Sequence, residues 1–145
     1  AEEIPELGTN AKMNEFEAAM GLCVLDDMQD LDKKRMIMYE LYKKELEGIV
    51  KFQQKNKDST QNYSYFPILL ESEAQLKKIE KALNLKAIFP RRYFYPSLDT
   101  LGYIKPKQIC KISRDISSRI LCLPIYPGLE TKQQKLIIEV IKNVL

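Results

Sequence analysis

The 145 residues predict an α+β fold, a two-layer sandwich in which a long N-terminal helix precedes a small, mainly antiparallel sheet of about three strands covered by helices. Three observations predict it. A capping signal at Asn14 opens a long apolar run. Two short stretches rich in aromatic and branched residues, "YSYFPILL" and "ILCLPIYP", are bounded by turn residues. Segments with apolar residues at helical spacing come after them.

The elements follow in order. Asn14 and Glu17 form a capping-box pair, so a helix starts there. From Phe16 to Met28 apolar side chains (Phe16, Ala18, Ala19, Met20, Leu22, Cys23, Val24, Leu25, Met28) fall on nearly every face, which means burial on more than one side. From Lys33 onward Ile37, Leu41 and Tyr42, with Met38 and Leu46, recur at helical spacing until Gly48 supplies a C-terminal stop. The first fifty residues therefore read as one long or once-broken helix. "KFQQKNKDSTQN" is polar and aperiodic, a surface loop leading into the "YSYFPILL" strand. "SEAQLKKIEKALNL" places Leu76, Ile79 and Leu83 on one helical face behind a Ser72 cap, and "KAIFPRRYFYP" returns to extended structure ended by prolines. "PKQICKISRDISSR" is a short helix, "ILCLPIYP" a strand, and "ETKQQKLIIEVIKNVL" a closing amphipathic helix.

Composition narrows the chemistry. Hydrophobic residues make up 45% and charged ones 30%, normal for one soluble domain, so disorder is not expected. Net charge is only +3, with 23 basic residues interspersed among 20 acidic ones, and this lacks the footprint of a nucleic-acid binder. Histidine is absent, which removes Ser-His-Asp and Cys-His pairs, histidine metal ligands and any imidazole acid or base. Cys23, Cys110 and Cys122 form no C-x-x-C pair and sit in apolar stretches, as expected of reduced, buried thiols in the cytoplasm. Asp26, Asp27, Asp30 and Asp32 lack the glycine and terminal glutamate of a calcium loop and read as solvated carboxylates, so no metal site is expected. No stretch is long and apolar enough for a membrane span, and "AEEIPELG" is acidic where a signal peptide would be basic. A start on Ala1 hints at a piece of something longer.

Two stretches could carry chemistry. In "GTNAKMNEF", Gly8, Asn10 and Lys12 put a flexible backbone, an amide and a cation just ahead of a helix N-terminus, where unpaired N–H groups and the dipole favour an anion. Ordinary turn chemistry with a solvated lysine explains the same residues. In "PRRYFYPSL", arginines and aromatics could grip a phosphorylated or sugar ligand by forked bonds and ring faces. A half-buried strand, with Arg92, Phe94 and Pro96 on one side and Tyr93 and Tyr95 on the other, explains it equally. A free-standing non-enzymatic module that binds an anionic ligand or a protein partner through the 8–12 turn is thus an open alternative to an enzyme.

Taken in order, "GTNAKMNEFEAAMGL", "NYSYFPILL", "PRRYFYPSL" and "ILCLPIYPGL" resemble the C-terminal part of the sugar aminotransferases of the DegT/DnrJ/EryC1/StrS family, from about Glu6 onward. The first is similar to that family's Gly-x-Asn-x-Arg/Lys-Met-x-Glu-x-x-Ala-Ala-x-Gly-Leu segment. The resemblance implies the small domain of a fold type I, pyridoxal-phosphate-dependent enzyme that transfers an amino group, usually from glutamate, to a nucleotide-linked keto-deoxysugar. Residues 1–50 would be the helical segment that links to and packs on a large domain, and 51–145 the α+β small domain. The Schiff-base lysine and phosphate cup would lie upstream, leaving no catalytic residue here and an isolated chain that is inert. The resemblance further implies a cytoplasmic homodimer in which Asn10 reaches the cofactor phosphate of the partner subunit. Lys12 would lie near the substrate diphosphate, and Tyr93, backed by Arg92 or Tyr95, would face the sugar. Many relatives carry a histidine just after this block; "SLDTLGY" has none. The bare apolar helix face of the isolated chain is expected to cause self-association or partial instability.

Overall fold

The computed structural model describes residues 11–105 and 108–145. Helix α1 (Glu15–Leu46) is unbroken over 32 residues. Its capping box is formed as the sequence predicts, with Glu17 N–H donating to Asn14 Oδ1 at 2.9 Å and Asn14 N–H donating to Glu17 Oε2 at 3.1 Å. At the other end Gly48 adopts φ +75°, the left-handed conformation that glycine takes without a Cβ penalty, and Val50 N–H folds back on the Leu46 carbonyl. Acidic Glu15 and Glu17 in the first turn and basic Lys43 and Lys44 in the last complement the helix dipole.

Strands β1 (Lys51–Phe52), β2 (Phe66–Leu69) and β3 (Ile120–Leu123) form a fully antiparallel sheet in the order β1-β2-β3. Lys51 pairs with Leu69, and Phe66 with Leu123. The central strand tolerates Pro67 at a position where β1 has already ended. Helix α2 (Glu73–Asn84) follows β2, with Ser72 Oγ accepting from Gln75 N–H at 3.2 Å. Helix α3 (Lys111–Arg119) runs straight into β3, and α4 (Thr131–Val144) closes the chain.

Period-two alternation gives the sheet two unlike faces. Phe66, Ile68, Leu121 and Leu123 point into one core with Tyr42 and Leu46 of α1, Leu76, Ile79 and Leu83 of α2, and Ile137, Ile138 and Ile141 of α4. Phe66 is the hub: its ring centroid lies 4.8 Å from Tyr39, 4.9 Å from Tyr42 and 5.8 Å from Phe52, within the range where aromatic pairs add to area burial. Polar groups entering this core are paired. Tyr42 Oη donates to the Pro124 carbonyl at 3.0 Å, and buried Gln134 Nε2 donates to the Met38 carbonyl at 2.6 Å. The opposite face carries Pro67, Leu69, Ile120 and Cys122 and, among the described residues, opens onto a groove bordered by α3.

Five local expectations change. Lys51 and Phe52, placed in a surface loop by their polar surroundings, pair with β2 as a two-residue edge strand. "KAIFPRRYFYP" is extended but joins the sheet through one bridge, Arg91 with Cys122, because residues 93–96 turn away from β3. Of the helix expected over 106–119, residues 106–107 lie outside the described ones and 108–110 are not helical, so α3 spans Lys111–Arg119; the strand expected over 120–127 stops at Leu123. The thiols also differ from expectation: Cys122 is buried, whereas Cys23 on α1 and Cys110 at the start of α3 are exposed. Their apolar neighbours in sequence lie on surfaces that nothing among the described residues covers.

Candidate functional site

The opposite sheet face is the floor of an open groove of about 860 Å³. Phe52, Gln53 and Gln54 bound it beyond the β1 edge. Ile112 and Ile116, one helical turn apart on α3, bound it with Tyr93 and Phe94 on the β3 side. Tyr65 joins the two sides, its ring 5.5 Å from that of Tyr93 in an edge-to-face contact, and Tyr93 lies 5.1 Å from Phe94. The lining is thus aromatic and aliphatic with two primary amides and no formal charge, suited to flat, partly apolar ligands that carry hydrogen-bonding groups. Burial pushes the Cys122 thiol up, with the Tyr93 backbone N–H opposing, so at neutral pH it is a thiol and not a nucleophilic thiolate.

The predicted site residues divide. Tyr93 lines the groove, while Tyr95 turns away and stacks under Arg92, whose guanidinium carbon lies 3.7 Å from the ring centroid. Arg92 Nη2 is also engaged, by Glu73 Oε1 at 3.2 Å and the Ser118 carbonyl at 2.9 Å. Lys12 is exposed just ahead of the α1 cap. Asn10 lies outside the described residues. Asp30 and Asp32 pair with Lys34 at 2.6 Å and Arg35 at 3.4 Å, and among the described residues no three metal-ligating side chains converge. No helix among them is long and apolar enough to cross a membrane.

Where a histidine was noted as missing, Asp99 serves the fold. Its Oδ2 accepts from Cys110 N–H at 2.9 Å and Arg114 Nε at 2.7 Å, and its Oδ1 accepts from Ser97 Oγ at 2.5 Å. Asp99 thereby caps α3 from a distance, since Cys110 offers no side-chain cap of its own. The carboxyl is held down at about 2, chiefly by the Cys110 N–H and then the Ser97 hydroxyl, with Arg114 adding to them against the cost of burial.

Sequence reasoning missed Gln53, Gln54, Tyr65, Ile112 and Ile116 as lining residues. The i, i+4 spacing of Ile112 and Ile116 was an available signal; nothing in the local pattern marks the two glutamines.

Comparison with known proteins shows what this chain is similar to. The model of the DegT/DnrJ/EryC1/StrS aminotransferase family matches residues 1–142. A dTDP-4-amino-4,6-dideoxy-D-glucose transaminase of Shigella dysenteriae is 34% identical over 145 residues, covering 95% of this chain and 40% of its own length. A GDP-perosamine synthase of Escherichia coli O157:H7 is 28% identical, over 88% of this chain and 35% of its own length. In three dimensions a DegT DnrJ EryC1 StrS aminotransferase from Brucella abortus superposes with a TM-score of 0.82 at 23% identity, covering 99% of this chain and 39% of that one. The sugar aminotransferase CalS13 from Micromonospora echinospora gives 0.81 at 19%, over 97% and 38%. Both likenesses establish the fold. The chain spans about 40% of the length of the curated relatives it matches.

Proposed function

Since the chain belongs to the DegT/DnrJ/EryC1/StrS aminotransferase family, we propose that it is the C-terminal part of a pyridoxal-phosphate-dependent aminotransferase acting on a nucleotide-linked keto-deoxysugar, with glutamate as amino donor. The family match over residues 1–142 carries this reading, and the names of the transaminase and synthase relatives support the substrate class. The groove supplies the sugar-side wall. Tyr93 and Phe94 offer ring faces to the sugar, and Gln53 and Gln54 offer amides to its hydroxyls. An apolar wall of this kind orients the ligand and excludes water from the reacting carbon.

The groove does not fit the cofactor itself. Its lining holds no lysine to form a Schiff base and no cation for a phosphate. The reactive lysine and most of the phosphate cup accordingly belong to the rest of the protein, and no chemical step is assigned to this chain. Asn10 contributes one amide to the cofactor phosphate of a partner subunit in a homodimer, Lys12 sits near the substrate diphosphate, and residues 1–50 pack on the large domain. The assembled enzyme works in the cytoplasm.

The test is direct. The full-length protein, loaded with pyridoxal phosphate and offered a panel of nucleotide keto-sugars, turns over glutamate with at least one of them, while the 145-residue chain with the same cofactor and substrates turns over none. Failure of every keto-sugar alongside reaction of a simple amino acid pair overturns the substrate class.

A further inference from the structure

Among the ion-paired basic residues of the described chain, Arg92 has the least exposed side chain. Its side chain is 16% exposed and its Nε is buried without a partner. One face of the guanidinium lies over Tyr95, and Nη2 bridges two helix ends: Glu73 in the first turn of α2 and the Ser118 carbonyl in the last turn of α3. Each contact suits the planar fork. A cation near the end of α3 meets a carbonyl left without an intrahelical donor, and a flat, weakly hydrated ion stacks on a ring where an ammonium would keep its water. Immediately before it, Arg91 exchanges both backbone hydrogen bonds with Cys122, at 3.0 and 2.7 Å. Immediately after it come Tyr93 and Phe94, the aromatic end of the groove.

We propose that Arg92 is a positioning residue: by clamping Tyr95 and tying residues 91–96 to α2 and α3, it fixes where Tyr93 and Phe94 stand over Cys122. This rests on the groove being the sugar-side wall only for its functional consequence; the clamp itself is a statement about this chain. Arg92 acts on the ligand through Tyr93 and Phe94 and does not touch it.

Cys122 reports on the clamp without any ligand. In the chain carrying Cys23→Ser and Cys110→Ser, alkylation of Cys122 well below the melting temperature is slow, because the residue is only 6% exposed and its thiol meets the Tyr93 backbone N–H. Loss of charge-assisted bonds in Arg92→Ala is expected to raise that rate about tenfold. Arg92→Lys is expected to raise it nearly as much, and Tyr95→Leu likewise, whereas Tyr95→Phe, which keeps the ring, leaves it unchanged. The double variant Arg92→Ala/Tyr95→Leu gains nothing over either single one, as members of one clamp should. An unchanged rate in Arg92→Ala, or full rescue by lysine, overturns the proposal.

In the full-length enzyme the same variants, probed with dTDP-4-amino-4,6-dideoxy-D-glucose, raise KM for the sugar and leave the glutamate half-reaction intact. If both half-reactions fall together, Arg92 is merely structural and the positioning role is wrong. If the parent enzyme ignores every nucleotide sugar while Cys122 responds as stated, the clamp stands and the functional reading fails.

Discussion

The two halves of α1 obey different rules. From Met38 to Leu46 the helix presents Met38, Tyr39, Tyr42 and Leu46 to the core, with Tyr42 and Leu46 wholly inaccessible. From Glu15 to Asp30 it has no partner among the described residues: Phe16 is 86% exposed, Met20 66% and Leu22 64%. Charge divides the same way, since Glu15, Glu17, Asp26, Asp27, Asp30 and Asp32 meet no basic residue before Lys33. One helix therefore carries two kinds of apolar residue, one already dehydrated and one still waiting for a surface. Hydrophobicity alone does not say which is which; the difference lies in what stands opposite.

The sharpest way to break this comparison is to truncate each half. Phe66→Ala, at the hub that the C-terminal half packs on, is expected to lower stability by about 3–5 kcal/mol in chemical denaturation. Leu22→Ala on the bare half should change it by no more than about 0.5 kcal/mol and instead weaken self-association in sedimentation. Equal destabilisation by both would mean that the two halves share one environment. Next in size is Gln134→Ala. It removes the buried amide that ties α4 to the packed half of α1, and the same denaturation experiment should report a loss of about 2 kcal/mol.

These predictions also mark what the sequence could tell. Ser72, Asn14 and Gly48 act through bonds to near neighbours in the chain, and all three caps are found where local chemistry places them. Leu76, Ile79 and Leu83 are buried because a single period describes their face. The β1 pairing was illegible, since two residues beside a polar loop acquire strand geometry only from β2, more than ten positions away. At the groove, strand alternation put Tyr93 and Tyr95 on one side, and only the family resemblance set Tyr93 ahead of Tyr95. What separates them is a turn of the backbone and the remote partners Glu73 and Ser118 of the intervening Arg92.

A finer probe of the packed region is pH. Asp99 is lowered from an ordinary 3.8 to about 2, so its contribution is fully present above about pH 4 and is lost as pH falls through 2. Asp99→Asn should melt earlier than the parent at pH 5 to 7, with the two curves converging near pH 2; a gap that persists there would show that the charge is not what matters. The smallest effect belongs to the bare half. Asn14→Ala removes a cap worth about 1 kcal/mol to its own turn, so amide exchange from Ala18 onward should speed up while the global melting temperature holds.

The absence of any break in α1 has a mechanical corollary. Thirty-two residues at 1.5 Å each make a rod of about 48 Å, and the stretch from Met38 back to Glu15 is a lever of about 35 Å. A pivot of five degrees at the buried end sweeps the free tip through about 3 Å, and the converse holds with equal force. A load on the tip would reach the sheet through that same rod, and with it the groove that Tyr93 lines.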